Sequence, residues 1–90
     1  MSAELQNRAR AWLSQPQRLA PEYAADSMAD WFIGSYATSG QVDLSGDWLH
    51  YLRSGVAENL EATERSSGQD AAFFREAAEI LKAVEAEVQP

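Results

Sequence analysis

Apolar residues in this chain recur at intervals of three and four, and no stretch sustains an alternation of two. That period constrains the fold more than any other feature, because 3.6 residues per turn gathers such positions on one side of an α-helix. The clearest run is Phe74, Ala77, Leu81, Val84 and Val88, a 3-4-3-4 series whose face Phe73 and Ile80 widen. Four such segments are visible, separated by breakers, and they predict an all-α, compact four-helix domain with helices over 2–14, 21–38, 46–65 and 69–88.

The first segment places Leu5, Ala9, Trp12 and Leu13 on one face, and Pro16 stops it because the residue before a proline is pushed out of the α region. The second is read as starting at Pro21, suited to a first helical turn, with Glu22 and Asp26 near the positive end of the helix dipole. Its apolar set is Ala25, Met28, Ala29, Trp31, Phe32 and Tyr36, with Asp26, Ser27, Asp30 and Gly34 on the other face. Gly40 is a candidate left-handed cap. Ser45 reads as the N-cap of the third segment, with Leu44 and Leu49 spaced as a hydrophobic staple. That segment carries Trp48, Leu52, Val56 and Leu60, widened by Leu49 and Ala57. Gly55 in its middle costs about 1 kcal/mol relative to alanine, which leaves a close helix approach or a kink as its reason. Ser66, Ser67 and Gly68 form the last breaker, where two capping boxes overlap, Ser66 with Gln69 and Ser67 with Asp70.

The 90 residues are read as a single domain. Area scaling gives roughly 5,200 Å² folded against roughly 14,400 Å² unfolded, enough burial for one modest core and too little for an enclosed cofactor cavity. There is no cysteine, hence no disulfide framework and no cysteine-based zinc site. No apolar run approaches the roughly 18 residues of a membrane span, and no apolar stretch follows the N-terminal charges as a secretory signal would require. The default expectation is a cytoplasmic protein.

Side chains for catalysis are scarce. The sole histidine, His50, has Asp47 and Ser54 one turn away on either side. A serine on a helix surface has no strained turn and no adjacent oxyanion donors, so this stripe is read as solvated rather than catalytic. Asp43 to Asp47 resembles the start of a calcium loop but lacks its remaining ligands. The five glycines are scattered and form no phosphate cradle. The expectation is a non-enzyme without metal or cofactor.

Charge is the more informative signal. The net of −7 is unevenly spread: residues 1–20 carry +2 through Arg8, Arg10 and Arg18 against Glu4. Residues 21–52 carry −5 with no lysine or arginine, and residues 53–90 carry −4. The acidic middle third also holds six of the nine aromatics. Acidic rim charge speeds encounter with a basic surface, and aromatic anchors supply most of the binding energy. Trp31 and Tyr51, each next to a residue on an apolar stripe, are the aromatics expected at the surface. Glu58, Glu61 and Glu64 form a second acidic run three residues apart.

An acidic chain repels phosphate, so direct nucleic-acid binding is disfavoured. Close mimicry of DNA is also weak. A duplex presents about 18 charges over about 30 Å, whereas acids one helical turn apart are about 6 Å from each other. The expected function is therefore a small acidic module that docks on, and inhibits or masks, a basic protein such as a nucleic-acid-binding one. The expected contact residues are Asp26, Asp30, Trp31, Asp43, Asp47, Tyr51, Glu58 and Glu61. The alternative is an assembly subunit, including a homodimer, joined through the apolar face of the fourth segment.

Overall fold

A computed structural model describes residues 3–20, 23 and 27–88. Helix α1 spans Ala3–Leu13, and a short 3-10 turn follows at Pro16–Leu19. Helices α2 (Met28–Ser39), α3 (Trp48–Arg65) and α4 (Gly68–Val88) complete the domain, with no strand among the described residues. α3 and α4 form an αα-hairpin, and α1 and α2 pack against each other and against α4. The accessible surface is 5380 Å², close to the value that area scaling gives for this mass. The 12.1 Å radius of gyration is that of a compact domain of this length.

The core is built around Trp12, whose ring stacks on Phe73 at 4.6 Å and meets Tyr23 edge-on at 6.0 Å. Its indole N–H donates to the Phe73 carbonyl at 3.0 Å, which satisfies the one polar atom the burial of a tryptophan brings inside. Phe32, Ile33 and Tyr36 of α2, Leu52 of α3, and Ile80, Leu81 and Val84 of α4 fill the remainder. The Tyr36 hydroxyl donates to Glu87.

α2 begins at Met28, not at Pro21. Ser27 is extended, and its hydroxyl accepts the Asp30 N–H at 3.1 Å, so Ser27 is the N-cap rather than part of a polar helical face. Glu22, Ala25 and Asp26 lie outside the described residues. The helix ends as expected, with Gly40 at φ 72° and its N–H bonded to the Tyr36 carbonyl.

α3 buries Leu52, Gly55 and Asn59 rather than the series Trp48, Leu52, Val56 and Leu60. Each four-residue step overshoots a full turn by about 40°, so a strict i+4 series winds off its face. Leu60 ends 40% exposed and Ala57 is exposed, whereas Asn59, on the buried side, donates its amide to the Gly55 carbonyl at 2.7 Å. Gly55 marks a close approach: a Cβ there would lie 3.3 Å from Leu81 Cδ1 and 3.4 Å from Met28 Cβ.

Two caps also differ from expectation. Asp47, not Ser45, precedes the first residue of α3, and its carbonyl accepts the Tyr51 N–H at 3.1 Å. The Ser66 and Ser67 hydroxyls make no bond to the start of α4 among the described residues, where the Ser67 carbonyl accepts the Ala71 N–H at 3.4 Å. Leu44 is buried and Leu49 packs against the core, but with Asp47 at the N-cap they no longer stand at the two staple positions.

Two of the three arginines of the first third, Arg8 and Arg18, pair with acids of their own domain, and Arg10 donates to Asn7 Oδ1 at 3.2 Å. Arg8 grips Glu76 through Nε and Nη2 at 3.0 and 2.7 Å, and this two-point contact raises its already high pKa. Arg18 grips Asp30 from the turn after α1. Arg53 joins α3 to Glu85 of α4 at 3.0 Å.

Candidate docking groove

Trp31 lies on the outer side of α2, next to the buried Phe32, because adjacent helical residues point about 100° apart. Trp48 opens α3, which the left-handed turn at Gly40 and the connection through Asp43 bring back beside α2. The two indoles lie nearly parallel, 8° apart in plane with centroids at 5.9 Å. Phe32 meets the Trp48 ring edge-on from the core side, and Tyr51 meets it edge-on one turn further along α3. His50 abuts Tyr51 with ring centroids at 5.8 Å. The outcome is an aromatic strip from Trp31 to His50, with Trp31 56% and Tyr51 44% exposed.

Beside the indole pair runs a groove of about 520 Å³, within the size range of small-ligand sites. Trp31, Trp48 and Phe32 form its aromatic side, and Ser35, Ser39, Gln41, Val42 and Asp43 form the rest. Trp31, Ser35 and Ser39 also border a second depression with Asp30, Gly34 and Thr38, so Trp31 is a wall shared by both. No lysine or arginine lines either one.

Asp43 is the acid of the groove. Its Oδ1 accepts the Ser45 hydroxyl at 2.6 Å and the Ser45 N–H at 2.9 Å. Those two bonds, the hydroxyl first, hold its carboxyl below the usual carboxylate range. It is therefore a fixed anion, oriented by its own loop, with Oδ2 bonded to no described residue.

The expected contact residues separate on this geometry. Trp31, Asp43 and Tyr51 share the aromatic surface, and exposed Asp47 precedes Trp48 in the chain. Asp30 does not present a free carboxylate: it accepts from Arg18 Nε at 2.9 Å and from the Tyr23 hydroxyl at 3.2 Å. Glu58 borders a different groove, with Tyr23, Asn59, Arg65 and Phe74. Glu61 is exposed and 3.8 Å from Arg65. Asp26 lies outside the described residues. Trp48, expected in the core for its place on an apolar stripe, is partly buried and packs against it, and its place in the groove lining is what sequence reasoning missed. Its position directly after Gly46 and Asp47, at a helix start rather than a helix middle, was the available signal.

The side chains of Asp47, His50 and Ser54 make no hydrogen bond to one another among the described residues. Among those residues no three acidic or histidine side chains gather as metal ligands, and no helix is long and apolar enough to cross a membrane. The apolar face of α4 is occupied within the domain, where Phe73, Ala77, Ile80, Leu81 and Val84 are fully buried. No family model, curated protein or solved structure matches the chain.

Proposed function

We propose that this chain is a non-enzymatic protein-binding module that docks on a basic protein surface and masks or inhibits it. The observation that carries this reading is the exposed indole of Trp31, stacked on Trp48 and sharing a groove with Asp43, with exposed Asp47 preceding Trp48 in the chain. An aromatic pair held by the fold offers rigid contact area at small entropic loss, which is the property of an interface anchor. The acids around it attract a basic partner from a distance and raise the rate of encounter, and salt screens that attraction. The partner is a protein with a positively charged face, such as one whose own ligand is nucleic acid.

The test compares the wild-type chain with Trp31→Ala and with Asp43→Asn/Asp47→Asn, each immobilised in extract of the producing cells at low salt. Basic proteins retained by the wild type, released as salt rises and lost from both variants, support the reading. Identical retention by all three chains, or retention indifferent to salt, overturns it.

A further inference from the structure

The groove beside Trp31 selects for more than the sign of a partner's charge. Its two indoles are already in contact, parallel at 5.9 Å, so no cation enters between them, and they do not enclose a spherical ammonium from several sides. Because the rings are stacked, what the pair offers a ligand is an outer indole face, that of the 56% exposed Trp31, backed by Trp48. Asp43, lining the same groove, presents an anion whose orientation Ser45 sets and whose Oδ2 is bonded to no described residue. Ser35, Ser39 and Gln41 also line the groove, where the Ser39 hydroxyl is engaged by the Ser35 and Gln41 backbone.

A group complementary to all of this is flat, cationic and rich in N–H donors at its edge. Guanidinium fits: it is planar, stacks on aromatic faces and directs its donors in plane toward a carboxylate. A lysine ammonium is compact and strongly hydrated, and uses the carboxylate but not the flat face. A nucleobase matches the face, but its phosphates meet Asp43, Asp47 and a chain of net charge −7.

We infer that this groove receives an arginine side chain from the basic partner, its guanidinium laid on the exposed Trp31 indole, which Trp48 backs, and hydrogen-bonded to Asp43 Oδ2. The inference rests on the docking reading above and names the residue that the docking surface recognises.

Two peptides of equal length and equal charge test it, one with arginines and one with lysines spaced by glycine and serine, titrated into the isotopically labelled chain at low salt. The arginine peptide binds about fivefold tighter, the value of one exposed cation–π contact. The Trp31 and Trp48 indole N–H resonances move, while that of Trp12, bonded to the Phe73 carbonyl inside the core, stays in place. Trp31→Ala reduces arginine-peptide affinity to about the lysine value, and Asp43→Asn, which removes the carboxylate both peptides use, weakens both; the two positions are exposed. Equal affinities for the two peptides, or resonance shifts that bypass Trp31 and Asp43, overturn the arginine assignment and leave the docking reading standing. Failure of both peptides to bind overturns both.

Discussion

Arg18 and Asp30 form a 2.7 Å ion pair that ties the turn after α1 to the first turn of α2. The same guanidinium donates to the Leu13 carbonyl at the end of α1, and the same carboxylate accepts from Tyr23. An acid that the primary structure places in an uncompensated acidic stretch is thus half-buried and neutralised by an arginine twelve residues earlier. Removing either partner leaves the other in a partly desolvated site. A double-mutant cycle on Arg18→Ala and Asp30→Asn should give a coupling of about 1 kcal/mol in urea unfolding, above the usual worth of an exposed pair. A coupling near zero would return Asp30 to the set of free surface acids.

The helical glycines Gly34 and Gly55 should respond in opposite ways to alanine. Nothing lies within 4 Å of a Cβ built on Gly34, so Gly34→Ala should raise stability by about 0.5–1 kcal/mol through helix propensity alone. At Gly55 the same gain is offset by crowding against Leu81 and Met28, so Gly55→Ala should be neutral or slightly destabilising. Gly55→Val should cost about 2 kcal/mol through overpacking. Denaturant midpoints measure all three, and equal stabilisation by alanine at both positions would show that the helices do not approach closely at Gly55.

Trp12 combines a fully buried ring, a stacked partner and a hydrogen bond across the domain. Trp12→Phe retains most of the ring volume and loses the N–H, for an expected cost of about 2 kcal/mol. Trp12→Ala should cost about 3–5 kcal/mol, a large share of the stability of a domain of this size. Chemical denaturation followed by circular dichroism distinguishes the two.

The Asp43 carboxyl should titrate below the ordinary aspartate value in a carbon-detected pH series, and Ser45→Ala should move it back up. The direction follows from Ser45, whose hydroxyl and N–H both bond the ionised form. Because the folded-state pKa is depressed, any stabilisation from this contact is present above the unfolded-state pKa of about 3.9. It disappears as pH falls through the lower folded-state value. A carboxyl insensitive to Ser45→Ala would remove the loop bond as the element orienting the groove acid.

The helical period read from the residues survives in the structure, but the faces it implies are only partly those that are buried. In α4 the buried face keeps Ala77, Leu81 and Val84 of the 3-4 series together with Phe73 and Ile80, while Phe74 and Val88 at its ends are only partly buried. In α3 an i+4 series looks continuous in one dimension yet winds around the cylinder, and glycine and asparagine occupy the inner side because the neighbouring helices come close there. At the start of α2, proline and acidic residues favour a helix over 21–27, and the Ser27 cap ends that competition at Met28. Of the candidate site, exposure of Trp31 and Tyr51 follows from the 100° offset between helical neighbours. The partnership of Trp31 with Trp48 does not, because the two belong to different helices.

The sequence by itself determined that this is an acidic, cysteine-free, all-α chain with four helices, since helical period and breakers are local properties of the residues. It also determined that the middle third holds acid without base, alongside most of the aromatics. Only the tertiary structure decided which of those acids are available to a partner. Asp30 is paired by Arg18 and Asp43 pairs with no base among the described residues, and that difference depends on where the turn after α1 falls against α2. The groove is a tertiary product as well, because its two indoles lie side by side only once α2 and the start of α3 are packed together.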